Sequence, residues 1–142
     1  MIFIFERILG IDYGDARTGI AVSDLMGFTA QGVETIVYKG DNKLLIKRIG
    51  EIIKEYDVKK IVIGYPRNLN GTIGPRAEKT EKFVKVLIDN FGLDVIKWDE
   101  WLSTVSATRD MIDMNIKKKN KKNLVDTIAA VHILQNYLDS IR

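Results

Sequence analysis

Arg7-Ile8-Leu9-Gly10-Ile11-Asp12-Tyr13-Gly14 is followed, two residues on, by Arg17-Thr18-Gly19-Ile20-Ala21-Val22-Ser23, and this pair of runs decides the fold. The first is mostly apolar and is stopped by glycine, the pattern of a buried strand. The second follows so closely that the two read as a hairpin, although Asp15-Ala16 is not among the strongest turn sequences. Gly32-Val33-Glu34-Thr35-Ile36-Val37-Tyr38 alternates apolar and polar side chains and predicts a third strand. The domain is thus expected to open with three antiparallel strands.

Working outward, the period changes. Leu45, Ile49, Ile52, Ile53 and Tyr56 recur at three and four residues and predict a helix from Asn42 to Glu55. Lys60–Tyr65 predicts a short buried strand stopped by Pro66, and Gly71 and Gly74 mark a loop. Pro75 suits a first helical turn, where its missing N–H costs nothing. Thr80, Phe83, Val84, Leu87, Ile88 and Phe91 carry the stripe of that helix, and Gly92 suits its C′ position. Leu93–Trp98 is the last predicted strand. Ser103 or Thr104 can cap a helix running to Met114, and Asn123–Ile141 predicts a final helix. The order β-β-β-α-β-α-β-α-α implies an α/β fold, a central mixed five-stranded sheet with helices on both faces, as one domain over residues 1–142.

Composition removes several classes of function. With 46% hydrophobic and 29% charged residues the chain is that of a folded protein, not a disordered one. It has no cysteine, so disulfides, thiolate metal sites and a cysteine nucleophile are excluded. His132 is the single histidine, which excludes a His-rich zinc site and assigns His132 to packing or the surface. Gly10 and Gly14 are not followed by Gly-Lys-Ser/Thr and make no P-loop. The apolar start Met1–Phe5 is broken at once by Glu6 and Arg7 and lacks a basic leader, so no signal peptide is expected. No run approaches the ~18 apolar residues of a membrane span. A cytoplasmic protein without a membrane partner is the expectation. Lys117, Lys118, Lys119, Lys121 and Lys122 put five charges within six residues, and setting them aside turns the net charge of +3 into −2. Such concentration suits a phosphate-binding patch, with a solvated loop as the alternative.

Three carboxylates stand in informative places. Asp12 closes an otherwise apolar strand, where a carboxylate is costly unless paired, solvated in a cleft or bound to metal. Glu100 follows the last strand, and loops at strand ends are where open α/β sheets bind ligands. Asp126 aligns with Ala129, Ala130 and Ile133 on the apolar row of the final helix, so it faces the sheet. Capping or helix-dipole stabilisation is the alternative for Asp126. If the three converge, hard cations such as Mg²⁺ or Mn²⁺ prefer these oxygen ligands. Paired ions about 3.5–4 Å apart can then drive phosphodiester cleavage.

Four ordered stretches carry a family resemblance. Asp12-Tyr13-Gly14-Asp15-Ala16-Arg17-Thr18-Gly19-Ile20-Ala21-Val22-Ser23-Asp24 resembles the opening motif of the YqgF family. Gly64-Tyr65-Pro66 with Asn68-Leu69-Asn70-Gly71-Thr72 resembles its central motif, and Asp99-Glu100-Trp101-Leu102-Ser103-Thr104 its third. Lys121-Lys122-Asn123-Leu124-Val125-Asp126-Thr127-Ile128-Ala129-Ala130 resembles its last. The resemblance implies a ribonuclease H-like fold and a nuclease that either matures the 5′ end of pre-16S rRNA or resolves Holliday junctions. It also implies Asp12, Glu100 and Asp126 as catalytic and metal-binding residues. Candidate nucleic-acid contacts are Arg17, Lys117, Lys118, Lys119, Lys121, Lys122 and Trp101. The oligomeric state, monomer or homodimer, stays open.

Two departures qualify the resemblance. Trp101 stands where the family usually has arginine, and tryptophan cannot clamp phosphate bidentately. It can stack on an unpaired base or pack against the sheet or Trp98. Asn70 replaces a frequent aspartate. A non-catalytic nucleic-acid-binding module is therefore a rival reading. An actin-like ATPase or sugar kinase needs a second lobe for which 142 residues leave no room.

Overall fold

The computed structural model describes residues 6–66, 74–99 and 121–141, with only the helical backbone of 121–123. β1 (Arg7–Asp12) and β2 (Arg17–Ser23) pair antiparallel, with Gly10 opposite Ala21 and Asp12 opposite Gly19. β3 (Ala30–Val37) adds antiparallel to β2. On the other side of β1, β4 (Val58–Tyr65) and then β5 (Asp94–Asp99) add in parallel, giving the order β3-β2-β1-β4-β5. The mixed five-stranded sheet is the expected one.

Alternation along the strands supplies two cores. Leu9, Ile11, Ile20, Ile61 and Ile63 face α1 (Asn42–Tyr56) and α2 (Pro75–Phe91), where they meet Leu45, Ile49, Ile52, Phe83 and Leu87. Ile8, Ala21 and Val62 point the other way, onto Ala129, Ala130, Ile133, Leu134 and Leu138 of α3 (Lys121–Ser140). Helices therefore cover both faces. Among the described residues no helix is long and apolar enough to cross a membrane.

Helix ends follow local chemistry. Asp41 caps α1 by accepting the Leu44 N–H at 3.3 Å. Pro75 begins α2, and Gly92 ends it with φ +65° while its N–H reaches the Ile88 carbonyl at 2.9 Å. The helix expected between Ser103 or Thr104 and Met114 lies outside the described residues.

Several boundaries differ from expectation for physical reasons. β1 stops at Asp12 because Tyr13 turns away to stack on Phe83 of α2. β3 starts at Ala30, whose N–H is held by Gln135 Oε1 at 2.9 Å. Its alternation breaks between Glu34 and Gly32, where the register against β2 slips. α3 begins at Lys121, two residues before the predicted start, so Asp126 lies in its second turn.

The seat of α3 depends on glycine. A Cβ at Gly10 would lie 2.7 Å from the Cβ of Leu134, and one at Gly19 would collide with the Asp126 carbonyl. Helix backbone thus rests directly on β2, beside the strand position that pairs with Asp12. At its other end Gln135 Nε2 donates to the Phe28 carbonyl at 2.9 Å, which pins the helix to the β2–β3 turn. Overpacking of a tight contact costs roughly 1–3 kcal/mol. Gly19→Ala is expected to cost at least that much, read as a lower urea midpoint at unchanged slope. An unchanged midpoint would show that the helix does not sit there.

Candidate functional site

The C-terminal end of β1, the turn after it, the start of α2 and the second turn of α3 enclose a cavity of about 240 Å³. Asp12, Tyr13, Gly14, Asp15, Ala16, Arg17, Arg76 and Asp126 line it. Asp12 and Asp126 are 5% and 8% exposed, so both carboxylates are largely withdrawn from water. Two of the three expected carboxylates therefore line the same cavity.

Asp126 has a defined partner. Arg17 Nε donates to its Oδ2 at 2.6 Å, a short charge-assisted bond with the carboxylate largely buried and the guanidinium a third exposed. Capping and the helix dipole do not account for Asp126, since the dipole's influence fades beyond the first turn. Arg17, expected as a nucleic-acid contact, is tied to a carboxylate in this state.

The turn carrying the cavity floor is braced from beneath. The Tyr38 hydroxyl donates to the Gly14 carbonyl, and Thr18 Oγ1 donates to the Tyr38 oxygen at 3.4 Å. Backbone N–H groups of Tyr38 and Lys39 both reach the Ala16 carbonyl, at 3.0 and 3.1 Å. Tyr13 stacks on Phe83 with ring centroids 4.1 Å apart. Burial pushes the Tyr38 hydroxyl up to about 12, and burial, with Asp15 nearby, raises that of Tyr13. Lys79 Nζ meets the Asp15 carboxylate at 3.3 Å, but both side chains are more than half exposed and the pair is weak.

The remaining expected residues divide plainly. Glu100, Trp101, Lys117, Lys118 and Lys119 lie outside the described residues, as do the side chains of Lys121 and Lys122. Asp99 ends β5 at the same end of the sheet as Asp12, two strands and roughly 10 Å across. Trp98 packs edge-on against Tyr137 of α3 at 5.7 Å. His132 is part-buried on α3 and does not line the cavity. Arg76 was not foreseen: nothing in sequence separates it from other surface arginines, and only the packing of α2 brings it to the cavity.

Comparison with known proteins gives consistent relatives. A family model described as "RuvX: Holliday junction resolvase" matches residues 6–140. A protein of Acetivibrio thermocellus named "Putative pre-16S rRNA nuclease" is 54% identical over 135 residues, 94% of this chain and 96% of its own. One of the same name from Ruminiclostridium cellulolyticum is 58% identical, covering 95% of each chain. Among solved structures, T. thermophilus RuvC in complex with a Holliday junction substrate superimposes with a TM-score of 0.57 at 14% identity, over 96% of this chain and 95% of that one. That likeness shows the fold, which is ribonuclease H-like.

The brace beneath the cavity has a pH signature. A tyrosine whose pKa is raised on folding stabilises fully below the unfolded value near 10, and that stability is lost as pH rises through the folded value of about 12. Wild type is therefore expected to lose stability across that window, and Tyr38→Phe to lose less there. Parallel curves in alkaline denaturation would show that Tyr38 is not buried under the turn.

Proposed function

The chain belongs to the RuvX family, and we propose from that premise that it is a divalent-metal-dependent endonuclease of structured nucleic acid, processing the 5′ end of pre-16S rRNA in the cytoplasm. One observation carries the reading: two withdrawn carboxylates, on a strand end and a helix face, line one cavity together with two arginines. Two carboxylates facing one cavity supply the oxygen ligands that suit cation and phosphate chemistry.

The donor chemistry fits a hard ion. Asp12 and Asp126 offer carboxylate oxygens, and no thiolate or imidazole lines the cavity. Asp12, Glu100 and Asp126 would hold Mg²⁺ or Mn²⁺, as two carboxylates plus water and phosphate commonly do. When bound, the ion supplies activation of water and charge neutralisation at the leaving oxygen. The protein's own work is positional. Arg17 fixes the direction of the Asp126 carboxylate through the bond to Oδ2. The turn after β1, braced by Tyr38, keeps Asp12 at the cavity wall. Hydrolysis forms a bond from water oxygen to phosphorus and breaks the bond to the leaving oxygen, which takes up a proton. Lys117, Lys118, Lys119, Lys121 and Lys122 hold the strand through phosphates, and Trp101 stacks on an unpaired base.

A second substrate has support in the description of the family model, which is that of a Holliday junction resolvase. Branched DNA is that alternative. Metal-dependent cleavage separates both from a non-catalytic binding module.

Asp12→Asn keeps size and removes a charge, so it is expected to abolish cleavage of a pre-16S 5′-end RNA and of a four-way DNA junction without unfolding the domain. Glu100→Gln and Asp126→Asn should act alike, and a double variant should be little worse than either single one. EDTA should stop wild-type cleavage. A folded Asp12→Asn protein cutting at the wild-type rate would overturn the site, and indifference to EDTA would overturn the metal.

A further inference from the structure

Arg76 stands where two cavities meet. It lines the carboxylate cavity and also a neighbouring one of about 200 Å³, lined by Tyr13, Gly14, Asp15, Arg76, Lys79 and Thr80. The second cavity continues the first over the turn after β1 and along the start of α2. A polynucleotide strand with one phosphate at the carboxylates has a path for the next phosphate there.

The cations along this path differ in what already holds them. Arg17 is bound to Asp126, and Lys79 makes a weak, exposed pair with Asp15. The Arg76 guanidinium is exposed and makes no hydrogen bond or ion pair with any described residue. Its backbone is fixed: Pro75 opens the helix, and Thr80 Oγ1 donates to the Arg76 carbonyl at 2.9 Å. Gly74 has no side chain to cap that helix end, so its positive dipole adds to the field of the guanidinium. A phosphodiester approaching two carboxylates is repelled unless a cation faces it from another side. A planar guanidinium can meet it through two parallel bonds, which a solvated ammonium cannot.

We propose that Arg76 binds the polynucleotide backbone beside the carboxylates, clamping the phosphate next to the one that is cut. The inference rests on the nuclease reading for its substrate class, but its binding half can be read without cleavage.

Full-length wild type, Arg76→Gln, Arg76→Lys and a control at an exposed lysine of α1, Lys47→Gln, are titrated with a short single-stranded RNA across salt concentrations. Cleavage is followed in parallel with Mn²⁺. Loss of one phosphate contact should reduce the salt slope by about 0.7 in Arg76→Gln, with Lys47→Gln unchanged. Arg76→Lys should keep the slope, since it keeps the charge, yet cut more slowly because the bidentate fork is gone. In Arg76→Gln, kcat/KM should fall chiefly through a higher KM, as for a lost contact that is made in the ground state and the transition state alike. Melting temperatures should match, because the side chain is exposed. A slope in Arg76→Gln equal to that of wild type overturns the inference, whether or not wild type cuts. A reduced slope in a protein that cuts nothing supports the phosphate site and refutes the nuclease reading. A wild type that neither binds nor cuts overturns both.

Discussion

The close seating of α3 on β2 governs both the fold and the site. At Gly19 the helix backbone occupies the space any side chain would fill. Gly19 is also the residue that pairs across the hairpin with Asp12. Paired residues in an antiparallel ladder project to the same face of the sheet. One missing Cβ therefore lets the helix descend over the carboxylate-bearing end of β1, and Asp126 arrives at the cavity as a consequence. With a wider helix-to-sheet spacing the same two carboxylates would be separated by a layer of side chains.

That proximity has an electrostatic consequence. Two largely buried carboxylates lose hydration, a cost of several kcal/mol when nothing compensates. Arg17 offsets the charge at Asp126 through a bond of 2.6 Å. The hydroxyl of Tyr38 serves the turn, not the charges: it satisfies the Gly14 carbonyl, which the chain's reversal leaves without a ladder partner. The result is a cavity lined by two withdrawn carboxylates and two arginines.

The parallel half of the sheet serves the same end of the molecule. β1, β4 and β5 all run in one direction, so Asp12, Tyr65 and Asp99 finish together. The carboxyl ends of parallel strands are where open α/β sheets bind their ligands. The antiparallel pair β2–β3 runs back from it and spends its far end on the contact with Gln135. The candidate cavity thus lies at one rim, and at the opposite rim Gln135 anchors the helix.

Much of this was legible in the residues. The apolar run through Ile11 predicts a central strand because burial on both faces leaves no place for alternation, and the 3.6-residue stripes of α1 and α2 predict helices for the same reason that Leu45, Ile49 and Leu87 are buried. Asp12 and Asp126 stood out as carboxylates among apolar neighbours, and both line the cavity. Local patterns decide which face of an element is apolar, and that depends only on period. They do not decide which distant surfaces meet. The bulge in β3, the turning away of Tyr13 onto Phe83, the bond between Arg17 and Asp126 and the arrival of Arg76 all join residues far apart in the chain. An arginine's charge is the same wherever the helix carrying it packs. Only the tertiary structure, by pressing α2 and α3 against opposite faces of one sheet, decided that Arg76 would share a cavity with Asp12.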